Sequence, residues 1–412
     1  MELRGTLIAA FALTASFMGL RATHAQTGDA AEASAPKRLL MHYMPWYEAP
    51  DTRGRWGEHW TGWQQQHDPE KLDGRGLPDI WSKFHPLIGP YDSTNAHVLE
   101  CQLLQMKIAG IDGVIADWYG ISSAADYPPI HNATQALFAT AGRLGMEFAV
   151  CFEDRTVQFQ LEHGQLDEGE IQAHFVETFT WMEEAWFGAE HYARVDGQPL
   201  VLTFGPIHVK DAEPWQAALG AVSPRPTLFA LHHLWRSIGA DGGFTWVHKD
   251  TWKGFPDDEA YVDRMQAVFD YTSSNPAEVI TSVTPGFHDV YDTSYGYLPH
   301  RGGETLRESL AAAMASESDI AQLVTWNDYG EGTMFEPTHE FGYLFLEIVQ
   351  EARAEEIGES FTFVASDLRL PARLFSLRNA GDVPSAQLDA ISEALVQGDP
   401  ALARELLVQA ER

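Results

Sequence analysis

The chain is predicted to fold as an α/β protein, a closed (β/α)8 TIM barrel with a small C-terminal helical appendage. Two features of its 412 residues predict this fold. Short apolar runs recur eight times through the body of the chain, and amphipathic stretches lie between most of them. Parallel strands joined by helical crossovers explain this alternation most economically. The runs are Leu39–Pro45, Ile111–Trp118, Glu147–Phe152, Leu200–Phe204, Thr227–Leu231, Gly243–Val247, Val279–Pro285 and Leu323–Asn327.

The stretches between the runs have the apolar spacing of helices. Residues 95–109 place their apolar side chains on one side and stop at Gly110, and residues 258–271 and 303–316 repeat the pattern. A helix over 339–357 is predicted to close the barrel. The helix between the fifth and sixth runs is short and poorly patterned. An open, doubly wound sheet is the alternative fold, although no glycine-rich phosphate loop follows the first run to favour it.

The N-terminal residues are not expected to join the fold. Residues 1–25 combine a charged start, an apolar stretch and small residues before a cleavage point after Ala25, which is typical of a secretory signal peptide. Residues 26–36 are small and polar and are predicted to be a disordered lead-in. No segment is predicted to span a membrane. The sequence therefore predicts a secreted or periplasmic protein.

The remaining chain divides into two parts. Residues 37–357 are predicted to form the barrel, and the pattern changes after them. Residues 358–412 are interpreted as a small helical region packed on the barrel or tethered to it. In this region Pro371 is predicted to break an apolar stretch, and helices are predicted near 384–396 and 399–411.

The composition limits the partners of the protein. Its formal net charge is −32, so it should repel nucleic acid and anionic membranes. This charge suits a neutral substrate such as an uncharged polysaccharide, although selection for solubility in a salty habitat would give the same balance. The two cysteines, Cys101 and Cys151, are interpreted as small buried residues without a disulfide. No CxxC or Cys/His cluster indicates structural zinc.

Acids, aromatic residues and histidines gather at the ends of the predicted strands, where the loops of such a barrel form its active site. Aromatic faces and hydrogen-bonding acids suit carbohydrate, because sugar rings present apolar CH faces and polar hydroxyl rims. Any one of these residues alone could belong to the core, and it is their recurrence that indicates a site. The residues predicted to bind substrate are Tyr43, Trp46, Tyr47, Trp118, Tyr119, Glu153, His288, Asp289, Trp326 and Asn327.

Residues 325–332, with the sequence TWNDYGEG, carry the predicted catalytic pair. Asp328 and Glu331 are three residues apart at the end of a predicted buried strand, beside Trp326 and Tyr329. One carboxylic acid can protonate a leaving glycosidic oxygen while the other assists attack at the sugar carbon. The alternative interpretation is a solvated turn beside a structural tryptophan.

Several motifs together give the chain a resemblance to a known family. They are HYMPWY, RWGEHW, GPYDST, AGIDGVIADWYG, FED, PGFHD and TWNDYGEGTMFEP. With these motifs the sequence resembles the glycoside hydrolase family 71/99-like group over about residues 38–345. The PGFHD and EGTMFE parts are similar to family 99, which acts on α-mannosides. The WNDYGE part is similar to family 71, which acts on α-1,3-glucan, so the resemblance does not choose the substrate.

The resemblance implies roles for individual residues. Glu331 matches the acid that protonates the leaving group, and Glu153 matches an acid that helps to hold the sugar. Asp328 matches the second carboxylate, which is Glu in family 99, where it is thought to act on the sugar's own 2-hydroxyl, and Asp in family 71. The shorter Asp withdraws the carboxylate by about 1.5 Å, which leans towards inversion. The histidine of the family's third strand is missing from Val150–Phe152, which leaves sugar specificity open.

The sequence thus predicts a secreted, endo-acting glycoside hydrolase that cleaves an α-linked polysaccharide, either α-mannan or α-glucan. No metal or other cofactor is expected. A non-catalytic glycan-binding protein on a glycosidase scaffold is one alternative. A metal-dependent barrel hydrolase is another, with His232, His248, His288 and Asp289 as possible ligands.

Overall fold

Eight parallel strands close into a barrel in the computed structural model, which describes residues 35–247, 274, 279–292 and 297–412. The predicted (β/α)8 fold is confirmed. Each strand pairs in parallel with the next along the chain, and the last strand pairs with the first through Arg38↔Ile320. This closure excludes the open doubly wound sheet. The barrel strands are β1 Arg38–Tyr43, β2 Gly113–Trp118, β3 Glu147–Phe152, β4 Gln198–Thr203, β5 Thr227–Leu231, β6 Gly242–Phe244, β7 Val279–Val283 and β8 Ile320–Leu323.

The predicted runs and the observed strands agree closely until the end of the barrel. The prediction of the eighth strand over Leu323–Asn327 is wrong by about three residues. The strand is Ile320–Leu323, and residues 324–327 belong to the loop that follows it. Apolar side chains continue into this loop because it packs against the barrel, so hydrophobicity alone could not mark the end of the strand. Outside the barrel, Phe287–His288 and Tyr297–Leu298 form a short antiparallel pair.

Helices surround the barrel. The helix predicted over 95–109 is Ala96–Ile108, and the Asn95 side chain caps it by accepting the N–H groups of His97 and Val98. The closing helix begins at Leu344, five residues after the predicted start. Between β5 and β6 there is only the 3₁₀ turn Trp235–Ile238. Among the described residues, the longer helices around the barrel are α1 Ala96–Ile108, α2 Tyr127–Arg143, α3 Arg155–Glu162, α4 Ile171–Met182, α5 Ala212–Ala221, α6 Glu304–Ala315 and α7 Leu344–Ile357.

Two predicted segments, the signal peptide over 1–25 and the helix over 258–271, lie outside the described residues. The described cysteines, Cys101 and Cys151, are buried and unpaired. Within the described ranges, no helix combines the length and the apolar character needed to cross a membrane.

The C-terminal region consists of three helices, α8 Leu370–Ala380, α9 Ser385–Val396 and α10 Pro400–Ala410. The last two were predicted, but α8 was not. Pro371 lies in the first turn of α8 and does not break a helix, because the missing proline N–H has no helical partner there. The region is joined to α1 through buried Glu100, whose carboxylate accepts hydrogen bonds from Arg378 and Ser392.

Alternate residues of each strand face two different environments. On β2, Val114, Ala116 and Trp118 pack outward into the large core under the helices, whereas Ile115 faces the barrel interior. Asp117 also faces inward and lines a cavity at the end of the barrel. This alternation has a period of two residues, and it determines which strand-end residues reach the cavity.

Candidate active site

A cavity of about 1530 Å³ lies where the barrel strands end. Residues at or just beyond the C-terminal ends of the strands line it, including His42 near the end of β1, Glu153 just after β3 and His232 just after β5. The barrel therefore places its cavity at the end where (β/α)8 enzymes have their active sites. Its volume exceeds that of an ordinary small-molecule site, which is roughly 300–1000 Å³.

The loop after β8 brings the two predicted catalytic acids to the cavity. The Asp328 carboxylate accepts the N–H of Glu331 at 2.8 Å, and the hydroxyl of Thr325 accepts the N–H of Asp328 at 2.8 Å. The N–H of Gly332 donates to the carbonyl of Asp328 at 2.9 Å, with Gly332 in the left-handed region at φ 66°. These bonds fold the loop into a tight turn, and both Asp328 and Glu331 line the cavity.

A neighbouring segment after β7 holds this turn. The N–H of His288 donates to the carbonyl of Glu331 at 2.7 Å, and that of Val290 donates to the carbonyl of Gly330 at 2.8 Å. The ring of Tyr291 covers Gly330 so closely that a Cβ there would lie 1.9 Å from Tyr291 Cζ. A side chain at position 330 would therefore force either this ring or the turn to move.

The cavity raises the pKa of its carboxyl groups. Burial, and then the nearby charge of Asp289, raise the pKa of Asp328 to about 7, although the N–H of Glu331 works in the opposite direction. Burial raises the pKa of Glu153 to about 7, against the lowering effect of Arg155. Burial and the charge of Glu153 raise the pKa of Asp117 well above its usual range. The cavity can therefore hold exchangeable protons near neutral pH.

The charges around the cavity are mostly negative. Arg55 and Arg155 are the arginines among its described lining residues, and the described lining contains no lysine. The acidic lining residues are Glu48, Glu58, Asp117, Asp126, Glu153, Asp289, Asp292, Asp328 and Glu331. Such a surface disfavours anionic ligands.

Six of the residues predicted from the sequence line the cavity, and six do not. Those that do are Trp46, Tyr119, Glu153, Asp289, Asp328 and Glu331. Tyr43 and Trp118 lie one position out of phase with the inward-facing residues of their strands and are fully buried in the outer core. His288 is likewise out of phase with Phe287, which lines the cavity.

The remaining three hold the loop after β8 in place. Asn327 accepts the N–H of Met44 at 2.8 Å and donates to its carbonyl at 3.0 Å, which joins this loop to the end of β1. The Tyr47 hydroxyl donates to the carbonyl of Asn327 at 2.8 Å. Trp326 is fully buried. These positions support a scaffolding role behind the cavity wall.

Glu336 adds a second support to the same loop. Its buried carboxylate accepts hydrogen bonds from the hydroxyls of Tyr91 and Tyr329 and from the amide of Gln102. Burial raises its pKa to about 7 despite these bonds. Because Tyr329 lies between the two catalytic candidates, this network fixes the loop from the side away from the cavity.

Several residues that line the cavity were not predicted from the sequence. His42 and Asp117 would have been found by applying the two-residue period to the strand ends. Trp63 and Tyr291 come from loops whose path no periodicity predicts. Of the four possible metal ligands predicted, His232 and Asp289 line the cavity, His288 does not, and His248 lies outside the described residues. A different trio in the described part, His42, Asp117 and Cys151, has ligand atoms within 4.8 Å of one another.

Comparison with curated proteins gives a consistent set of relatives. The chain is 23% identical over 354 residues to a glycoprotein endo-α-1,2-mannosidase-like protein of Mus musculus, covering 76% of this chain and 74% of the relative. It is 23% identical over 330 residues to the Homo sapiens counterpart, covering 72% and 68%. A shorter match of 99 residues to the Rattus norvegicus glycoprotein endo-α-1,2-mannosidase is 32% identical and covers 21% of each chain. No protein-family model matches the chain.

Solved structures share the fold. A GH99 endo-α-mannosidase from Bacteroides thetaiotaomicron superposes with a TM-score of 0.58 at 17% identity, over 78% of this chain and 97% of that one. The chain is similar to the family 99 endo-α-mannosidases. A glycoside hydrolase-like protein gives a TM-score of 0.55 at 14% identity, over 78% and 94%. The predicted resemblance is confirmed on its family 99 side, while these relatives give no support to the family 71 side. By sequence and fold, this family 99-like chain is a homologue of glycoside hydrolases.

Proposed function

We propose that this protein is a glycoside hydrolase that cleaves an internal bond of a neutral, α-linked polysaccharide by means of two carboxyl groups. One observation carries the proposal: Asp328 and Glu331 lie on one tight turn and line the same large acidic cavity. The similarity to endo-α-mannosidases makes α-mannan the first substrate to test, with α-glucan second.

Glu331 is assigned as the general acid. It protonates the oxygen of the leaving sugar as the bond between that oxygen and the anomeric carbon breaks. Asp328 is the base that accepts a proton from the attacking water as the water oxygen bonds to the anomeric carbon, so the net reaction adds one water across the cleaved bond. Burial raises the pKa of Asp328 to about 7, and a base acts most effectively when its pKa is near the working pH.

The cavity wall offers the contacts that a sugar needs. The indole N–H of Trp56 is buried and has no hydrogen-bond partner within the described structure. Buried donors normally have partners, and Trp56 lines the cavity beside Trp46, so a ligand hydroxyl would satisfy this N–H. Trp46 stacks on His59 with ring centres 4.3 Å apart, which fixes its orientation.

The proposal includes export from the cell. The signal-peptide pattern over residues 1–25 supports it, as does the nature of the substrate, because a polysaccharide too large to enter a cell must be cut outside it. Detection of the mature chain, cut after Ala25, outside the cytoplasm would test this part separately.

The test is a reducing-end assay on α-mannans and α-glucans, with wild type beside Glu331→Gln. We expect the variant to lose activity by about 100-fold or more while it still binds the substrate. Glu317→Gln is the matched control, since the same charge is removed from an exposed residue before β8, at the opposite end of the barrel.

Two results would contradict the proposal in different ways. Activity close to wild type in Glu331→Gln would refute the assignment of the acid. Binding of a glycan by wild type without release of reducing ends from any substrate would favour the non-catalytic glycan-binding alternative.

A further inference from the structure

The most exposed tryptophan among the described residues lies on the cavity rim. Trp63 is 62% exposed, although a large aromatic side chain gains about 25 cal/mol for each Å² that it buries. It follows the short helix Glu58–Thr61, whose Trp60 and Thr61 are buried, and it lines the same cavity as Asp328 and Glu331. The exposure of a tryptophan beside a candidate active site indicates that it binds a ligand.

The backbone around Trp63 forms a hydrogen-bonded turn that directs its side chain outward. Gly62 takes the left-handed conformation at φ 80°, and the N–H of Gln65 donates to its carbonyl at 2.8 Å. The next turn closes with the N–H of His67 on the carbonyl of Thr61 at 2.9 Å. Trp63 therefore stands on a tight, hydrogen-bonded turn whose geometry fixes its direction.

Two other aromatic rings, one of them from a distant part of the chain, support Trp63. The ring of Tyr291 is nearly parallel to it, with centres 5.6 Å apart and planes 19° apart, and Trp81 meets it edge-on at 4.8 Å. Trp81 also meets Tyr291 edge-on at 4.8 Å. Such contacts restrain both rings, so Trp63, Trp81 and Tyr291 form one unit, which we call the rim cluster.

The rim cluster contacts the turn that carries Asp328 and Glu331. Tyr291 covers Gly330, and the hydroxyl of Ser82, next to Trp81, donates to the carbonyl of Tyr329 at 3.0 Å. A ligand that touches the cluster is therefore held in a fixed relation to Asp328 and Glu331. The cavity between them is large enough for more than one sugar unit.

We propose that the rim cluster is an outer sugar-binding subsite, in which the exposed ring of Trp63 stacks on a pyranose unit remote from the bond that is cleaved. Sugar rings fit such a platform because their axial CH groups form an apolar face, and the ring quadrupole attracts the weakly positive CH hydrogens. The acidic cavity favours a neutral sugar in this place. This inference rests on the proposed function and deepens it, because an outer subsite selects long chains.

The experiment compares Trp63→Ala with wild type on oligosaccharides of α-mannan and α-glucan, from disaccharide to heptasaccharide. We expect KM for the longest substrates to rise roughly 3- to 10-fold, which corresponds to about 0.7–1.4 kcal/mol. For the shortest cleaved substrate, KM and kcat should stay at wild-type values. Trp63→Phe should restore most of the affinity, because it keeps an aromatic face.

Tyr297→Ala is the matched control, because Tyr297 is also aromatic and 52% exposed but does not line the cavity. The thermal midpoint of Trp63→Ala should match that of wild type, since the ring is mostly exposed. Binding is measured by calorimetry in parallel, with Glu331→Gln as the background, so that the test does not require turnover.

The possible outcomes separate the two proposals. If wild type cleaves and Trp63→Ala has wild-type KM at every length, the subsite is refuted and the glycosidase stands. If wild type does not cleave but binds long glycans, and Trp63→Ala weakens this binding, the subsite stands and the glycosidase is refuted. Absence of both cleavage and binding overturns both.

Discussion

The glycine between the two catalytic candidates offers the sharpest test of the site. Gly330 carries no side chain, and the ring of Tyr291 occupies the space where a Cβ would lie. A methyl group at this position would lie 1.9 Å from Cζ, 2.0 Å from the hydroxyl oxygen and 2.3 Å from Cε2 of Tyr291. Gly330→Ala therefore forces either the ring or the turn to move.

The required movement can be worked out from these distances. Ordinary contact begins near 3.4 Å, so the two groups must separate by about 1.5 Å. Tyr291 cannot swing away freely, because Trp81 packs edge-on against it at 4.8 Å. Overpacking of this kind costs about 1–3 kcal/mol of stability, and a displacement of about 1 Å in a catalytic group can cost about 100-fold in rate.

The assay is kcat on the shortest substrate that wild type cleaves, with thermal unfolding in parallel. We expect Gly330→Ala to lose about 100-fold in kcat. Gly220→Ala is the control, because a Cβ there meets open space at the end of α5. Combining Gly330→Ala with Tyr291→Ala removes the obstructing ring and should recover much of the lost kcat.

Two results would refute this reasoning. A kcat within twofold of wild type in Gly330→Ala would show that the turn tolerates the displacement. A double variant no better than Gly330→Ala would show that the loss comes from the backbone of the turn and not from contact with Tyr291.

Three further predictions follow from the described contacts. The pKa of about 7 for Asp328 and Glu153 exceeds that of a carboxyl group in the unfolded chain. The folded state therefore binds more protons than the unfolded state between about pH 4 and 7, and stability falls as the pH rises through this window. The thermal midpoint should be lower at about pH 8 than at about pH 5, and Asp328→Asn should flatten this dependence on pH. Asp154→Ala should cost about 1–3 kcal/mol of unfolding free energy in denaturant titrations, because the buried carboxylate accepts the N–H groups of residues 207–209. A chelator such as EDTA should leave activity unchanged, because two carboxyl groups perform the proposed proton transfers. Loss of activity in EDTA, together with loss of activity in Cys151→Ser, would instead assign a metal to the trio of His42, Asp117 and Cys151.

Much of the architecture could be predicted because it depends on local patterns. Apolar runs and amphipathic stretches gave the barrel, and Asn95 and Gly110 mark the ends of α1 as capping chemistry requires. The pairing of Asp328 with Glu331 was also local, since the hydrogen bond that orients them spans three residues. The start of α8 was missed because Pro371 has opposite meanings at the beginning and in the middle of a helix.

The sequence by itself determined the kind of fold, the resemblance to glycoside hydrolases and the two candidate acids of the turn after β8. Each of these depends on the spacing of residues that are close together in the sequence. The tertiary structure decided which residues reach the cavity. Trp118 and Asp117 are neighbours in sequence, yet one lies in the outer core and the other in the cavity, because successive strand residues face opposite sides. Trp63 and Tyr291 are far apart in the sequence, and their rings come into contact only in the folded chain.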